Sequence, residues 1–186
     1  FIVYNEVTYP NLTALFNHLG IETAASDMGF CVSLDKGRTE YAGRDLRSLI
    51  GSWRNVADLN HWRMLRDMVR FLMKAEQDGK RLDDETSLST YLHEQRYSKA
   101  FIDRHLLPMA AAIWSSPPGQ MRDYPAKAFL RFFANHGLLS YDNRPLWRTV
   151  RGGSRQYVNR MCEDGGFRIR TGTPVTRVER HATGVT

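Results

Sequence analysis

The sequence predicts an α+β fold in which a mainly helical middle sits between short strands near both ends. Apolar residues recur at helical spacing through most of the stretch from residue 10 to residue 136. Alternation of the strand type is confined to the start, to a hairpin around residue 35 and to the segment after residue 146. No internal repeat, low-complexity tract or long linker interrupts the pattern.

Phe1-Ile2-Val3-Tyr4 reads as a strand already under way. In residues 10–19, Leu12, Leu15, Phe16 and Leu19 follow the i, i+3, i+4, i+7 spacing of a buried helical face. Pro10 suits the first helical position, where its missing N–H is no loss, and Gly20 suits a left-handed stop. Residues 29–34 and 38–42 read as a β-hairpin. Phe30, Val32 and Leu34 alternate with Cys31 and Ser33, and Asp35-Lys36-Gly37 supplies the turn. A helix over 60–78 places Trp62, Leu65, Met68, Val69 and Leu72 inward. Arg63, Arg66, Arg70 and Asp67 take its polar face, and Gly79 its stop.

Arg81 to Glu85 is a polar loop. Thr86 or Ser87 can cap a helix carrying Leu88, Tyr91 and Leu92. Ser98 can cap another through Phe101, Ile102, Leu106, Met109 and Ile113, kinked at Pro108 and ended by Ser115-Ser116-Pro117-Pro118-Gly119. Residues 125–136 form an amphipathic helix with Phe129, Leu130 and Phe133 inward, and Gly137 to Pro145 is turn and loop. A strand at Trp147 to Val150, a turn at Arg151-Gly152-Gly153 and a helix from Ser154 through Met161 make a compact unit. Strands are then expected at Phe167 to Arg170 and Val175 to Glu179 around Gly172-Thr173-Pro174, with Gly184-Val185-Thr186 opening a return strand.

A chain of 186 residues is long enough to bury a core of its own. The longest apolar run, Leu106 to Trp114, holds nine residues and contains Pro108, against the roughly 20 that a membrane-spanning helix needs. No basic leader precedes an apolar stretch, so no signal peptide is visible. Cys31 and Cys162 stand far apart without CxxC or histidine company, which points away from a disulfide framework or a zinc site and towards free thiols in a reducing cytoplasm. The net charge of +6 is carried mostly by arginines interleaved with Asp and Glu, the pattern of a solvated surface rather than a nucleic-acid interface. Arg148, Arg151 and Arg155 form the densest cluster.

The strand–Gly-Gly-Ser–helix at 147–161 is the most suggestive local feature. Glycines let a backbone or cofactor approach closely, and a helix N-terminus suits an anion; a capped tight turn with nothing bound has the same sequence. No GxGxxG or GxxxxGK[ST] is present, so a nucleotide-binding domain is not encoded by these residues alone. The histidines His18, His61, His93, His105, His136 and His181 form no metal-binding spacing, and His105, sharing a face with Phe101 and Met109, reads as a hydrogen-bonded core residue. Trp114, Phe129, Phe132, Phe133, Tyr141 and Trp147 could line an apolar pocket or fill a core. No acid–base pair stands at a telling spacing.

The order of these pieces resembles the flavin-containing amine oxidase superfamily. The resemblance is carried by Trp147-Arg148-Thr149-Val150-Arg151-Gly152-Gly153-Ser154-Arg155-Gln156-Tyr157-Val158 followed by Arg168-Ile169-Arg170-Thr171-Gly172-Thr173-Pro174-Val175-Thr176-Arg177-Val178. Phe1-Ile2-Val3-Tyr4-Asn5, Tyr9-Pro10-Asn11-Leu12 and Leu107-Pro108-Met109-Ala110-Ala111-Ala112-Ile113-Trp114 are similar to a bacterial branch of NAD/FAD-binding, amine-oxidase-like proteins. The resemblance implies an internal fragment of an FAD-dependent oxidoreductase, in which hydride passes from an amine or apolar substrate to flavin. It places the dinucleotide-binding Rossmann unit outside this sequence. Residues 1–28 would cross from the flavin domain, 29–146 would form a mainly helical substrate domain, and 147–186 would return to the flavin domain. Val175, Gly152, Gly153, Tyr4 and Asn5 would lie at FAD; Trp114, Phe133, Tyr141 and Trp147 would shape the substrate pocket. FAD is expected in the full-length parent and not in this fragment, which alone would be inactive. The partners implied are a small-molecule substrate and no membrane or nucleic acid, and the surface exposed by truncation would permit a homodimer. Two other readings stand beside it: a non-enzymatic basic module for nucleic acid or anionic lipid, and a flavoprotein-like scaffold without redox function.

Overall fold

A computed structural model describes residues 3–43, 45–139 and 145–185; Phe1, Ile2, Tyr141 and Thr186 lie outside these. The fold is α+β. Strand β1 (Tyr4–Asn5), helix α1 (Pro10–His18) and strand β2 (Thr23–Ala25) come first. Pro10 stands in the first turn of α1, and Gly20, at φ +63°, turns the chain after it. The hairpin follows as β3 (Cys31–Leu34) and β4 (Thr39–Ala42), with Val32 opposite Tyr41 and both buried.

Short helices α2 (Leu46–Ile50) and α3 (Trp53–Val56) lead into the long α4 (Leu59–Arg81). Its buried stripe is His61, Met64, Asp67, Phe71 and Ala75, one residue round from the expected face; Trp62 and Val69 are instead 46% and 53% exposed. Two polar members of that stripe are buried, and each makes a hydrogen bond there, while His61 Nδ1 has no partner among the described residues. The Asp67 carboxylate accepts the Ser98 backbone N–H at 2.7 Å and the Arg66 guanidinium at 2.9 Å, so Asp67 is not on the polar face. His61 Nε2 lies 3.0 Å from the Leu49 carbonyl. Gly79 does not stop the helix. A Cβ there would come within 3.1 Å of the Leu130 Cβ, so the glycine serves a close helix crossing rather than a cap.

Ser87 caps α5 (Leu88–Glu94), and Ser98 caps α6 (Lys99–Phe101). The chain then widens into a π-helical turn at Ile102–Leu106 before α7 (Leu107–Trp114). Pro108 thus acts by a local change of helix type. It has no N–H for the Arg104 carbonyl, and that carbonyl accepts the Tyr41 hydroxyl at 2.7 Å instead. A 3₁₀ turn (Gln120–Asp123) and α8 (Ala126–Asn135) complete the helical layer, whose core joins Phe71, Leu92, Phe101, Leu106, Phe129 and Phe133.

Strand β5 (Trp147–Val150) returns to the beginning of the chain and lies between β1 and β2, antiparallel to both. Tyr4 pairs with Arg148 and Thr23 with Val150. A second core gathers there from Tyr4, Phe16 and Val150, with Tyr9, Leu12, Ile21 and Tyr157 packed on it. Helix α9 (Arg155–Asp164) and a minimal hairpin of β6 (Arg180–His181) and β7 (Gly184–Val185) follow. The strands expected over 167–170 and 175–179 do not form. Those residues are exposed except for the half-buried Glu179, and no described strand pairs with them, so their alternating pattern has no ladder to join. Among the described residues no helix is long and apolar enough to cross a membrane.

Candidate functional site

The strand–turn–helix unit stands on the three-stranded sheet. The Arg151 N–H extends the pairing with β2 by donating to the Glu22 carbonyl at 3.0 Å, and the Gly153 N–H closes the turn on the Val150 carbonyl at 3.0 Å. Gly152 and Gly153 both adopt left-handed angles, at φ +75° and +85°. A Cβ on Gly152 would press on the Gln156 side chain at 3.1 Å, whereas one on Gly153 would meet nothing within 4 Å. The Gly153 backbone therefore borders open space where α9 begins.

Tyr4 and Asn5 lie beside this unit, across β5. The Tyr4 ring meets Phe16 edge-on at 5.1 Å. Asn5 is fully buried, and its Oδ1 accepts the Thr8 N–H at 2.8 Å, which fixes the orientation of the amide. The other end, Nδ2, is buried with no partner, as is the Thr8 hydroxyl. Buried polar atoms of this kind are costly to leave unmade, so a donor and a hydroxyl here are available to a polar group. Nearby, the Tyr9 hydroxyl reaches His136 Nε2 at 2.7 Å while His136 Nδ1 lies 2.8 Å from the Phe132 carbonyl. A carbonyl only accepts, so Nδ1 carries a proton. Burial pushes the Tyr9 hydroxyl pKa up.

Val175 stands apart from the glycines, 79% exposed on the irregular stretch before β6. No residue from Arg151 to Val185 is buried, and Val158, Phe167, Ile169 and Val178 are exposed with it. The arginine cluster does not form one free basic patch: Arg148 Nε donates to the Thr23 hydroxyl at 2.9 Å and lies 3.6 Å from Glu6.

Trp114 and Phe133 are brought together as packed rings. Trp114 lies 4.6 Å from Phe132 and 5.4 Å from Phe129, and the fully buried Phe133 stacks on Phe129 at 4.4 Å. Trp147 is half-buried on β5, opposite Asn5, and Tyr141 lies outside the described residues. His105 is a buried, bonded residue: its Nδ1 is 3.0 Å from the Tyr41 hydroxyl, and burial pulls its pKa down to about 4. Burial also lowers the His61 pKa, and the Arg104 guanidinium, 2.6 Å from Asp58, holds that carboxyl below its usual range. No cluster of three or more His, Cys, Asp or Glu side chains suits a metal among the described residues.

Two clefts were not foreseen from the sequence. One of about 330 Å³ lies by Asp58 and Arg104; one of about 700 Å³ lies between α5 and the π-turn. Asn5 is among the residues the resemblance points to, but Thr8 is not, and the burial of Asn5 depends on a strand more than a hundred residues away.

The family model described as flavin containing amine oxidoreductase matches residues 2–186. No curated protein matches the sequence.

Proposed function

The chain belongs to the flavin-containing amine oxidoreductase family, and from that membership we propose that it is part of an FAD-dependent oxidoreductase of the amine oxidase type. The substrate class is an amine, or an apolar molecule carrying the carbon from which hydride is taken. The observation that supports this most directly is that the stretch from Arg151 to Val185, continuous with the Gly-Gly turn, leaves Val158, Phe167, Ile169, Val175, Val178 and Val185 exposed. Apolar side chains left uncovered in this way suit a neighbouring folded unit. The sequence holds no GxGxxG, so the dinucleotide-binding unit is assigned to residues outside it.

The residues present fit one wall of a flavin site. Gly153 presents backbone to open space, Gly152 lies beside it, and Val175 is exposed. Asn5 Nδ2 offers a donor that no described residue uses, with the Tyr4 ring next to it in sequence. FAD, when bound, supplies the hydride acceptor. The chain's own part is to hold that wall rigid through the β1–β5–β2 sheet and to exclude water with its aromatic layer. Trp114, Trp147 and Tyr141 are assigned to the substrate side, with the buried Phe133 backing Trp114.

The test is flavin retention. A purified longer protein containing this sequence should carry flavin absorbance that bleaches anaerobically on addition of an amine. Residues 1–186 alone should retain none. A flavin-free longer protein, or stoichiometric FAD on residues 1–186, would refute the proposal.

A further inference from the structure

We propose that the groove between α5, the π-turn and the 3₁₀ turn binds a small amphipathic carboxylate, an anion with an apolar tail. Its volume, about 700 Å³, is that of an ordinary small-molecule cleft. The floor is apolar: Leu92, Tyr97 and Leu107 are buried beneath it, and Ile102 is half-buried at its side. The rim is cationic, from Arg96, Lys99 and Arg122. Asp103 is the acidic residue in the lining, and it is engaged by both Lys99 and Arg122, the latter at 2.7 Å. Arg96 makes no side-chain hydrogen bond or ion pair among the described residues, so its guanidinium is the charge left for a ligand.

The backbone under Arg96 gives an independent reason to look here. Helix α5 ends in a reverse turn, with the Tyr97 N–H donating to the Leu92 carbonyl at 3.0 Å and the Arg96 N–H to the His93 carbonyl at 2.9 Å. The residue at the bend of such a turn is left-handed and is usually glycine. Here it is arginine, at φ +53°. A long side chain in a conformation that glycine adopts more easily points to a use for the side chain itself. The π-turn, carrying Ile102 and Asp103, lines the same groove, and single π-turns inside helices recur at functional sites.

A carboxylate with an apolar tail matches both parts of the groove. The head pairs with the planar guanidinium and the tail covers the floor. Inorganic phosphate would use the charge and leave the floor wet, and an alcohol of the same chain length would use the floor and leave the charge. The site owes nothing to the flavin reading: its residues all lie on α5, the π-turn and their neighbours.

Calorimetric titration of the full chain with octanoate, kept below its micellar concentration, tests this directly. Saturable one-site binding is expected, with 1-octanol and inorganic phosphate each weaker by about tenfold or more. Arg96→Gly should weaken octanoate by about tenfold while leaving the Tm unchanged or raised, because glycine relieves the left-handed bend. Absence of saturable octanoate binding would overturn the proposal. So would octanol or phosphate binding as tightly as octanoate, or an Arg96→Gly protein with unchanged octanoate affinity.

Discussion

Replacing Tyr41 with Phe should cost more than the loss of one hydroxyl suggests, and the excess should depend on Pro108. The Tyr41 hydroxyl is buried, and burial pushes its pKa above the ordinary tyrosine value. It donates to the Arg104 carbonyl at 2.7 Å and lies 3.0 Å from His105 Nδ1. Since the hydroxyl proton goes to the carbonyl, Nδ1–H of neutral His105 donates to the hydroxyl oxygen. Tyr41→Phe therefore strands a carbonyl and an imidazole N–H together. At about 1–3 kcal/mol for each buried group left unmade, the two together cost about 2–6 kcal/mol. For a chain of this length each kcal/mol moves Tm by about 2–4 °C, so a mid-range cost of about 4 kcal/mol lowers Tm by about 8–16 °C. The carbonyl is vacant because residue 108 is proline. In a Pro108→Ala background the alanine N–H can take it, and Tyr41→Phe should then cost about 1 kcal/mol less. Thermal and urea unfolding of the four proteins, followed by circular dichroism, gives the coupling. A Tyr41→Phe cost below about 0.5 kcal/mol, or the same cost in both backgrounds, would refute the reasoning.

Other outcomes follow from the same structure. His105 takes a proton near its ordinary pKa when unfolded but only at about 4 when folded. The unfolded state therefore binds more protons between these values. Stability should fall on acidification through that window, by about 3 kcal/mol from His105; the urea midpoint against pH measures it, and a flat profile would contradict the assignment. Asp67→Ala should lose about 3 kcal/mol by orphaning the Ser98 N–H and releasing Arg66, and Asp67→Asn less, since an amide oxygen can still accept from Ser98; equal Tm values for the two variants would count against it. Burial alone would raise the Asp67 pKa, but the bonds from Ser98 and Arg66 outweigh it and lower the value, so this contribution is lost only at pH below the ordinary carboxylate range. Val175→Asp should change stability by no more than about 0.5 kcal/mol because the side chain is largely exposed, while in a longer flavin-loaded protein it should reduce flavin retention; a large loss of Tm in residues 1–186 would mean that Val175 is buried.

Much of the fold is legible where the signal is local. The faces of α1 and α8 are apolar throughout, so their spacing suffices, and the β3–β4 hairpin announces itself through Asp35-Lys36-Gly37. Helix α4 is read one residue off because its buried stripe includes His61 and Asp67, whose partners, the Leu49 carbonyl and the Ser98 N–H, are remote in sequence. Gly79 looks like a stop because nothing local reveals Leu130 pressing on it. Residues 167–179 carry a strand pattern, but a strand needs a partner, and pairing is not encoded in the segment itself. The Gly-Gly turn of the candidate site is visible in the sequence. The unsatisfied amide of Asn5 and the cationic groove are not, since both arise from what the folded chain surrounds.

The position of β5 has a consequence for the protein's synthesis. Among the described residues β1 and β2 make no ladder with each other; each pairs with β5, which lies between them. Their shared neighbour leaves the ribosome about 120 residues after β2, a delay on the order of ten seconds at ordinary elongation rates. Through that interval the hairpin and helical layer can fold, while the Tyr4–Phe16 core must wait for Val150. The nascent chain thus exposes two unpaired strand edges until β5 has emerged, which makes the segment holding β1 and β2 the point at which a chaperone would engage it.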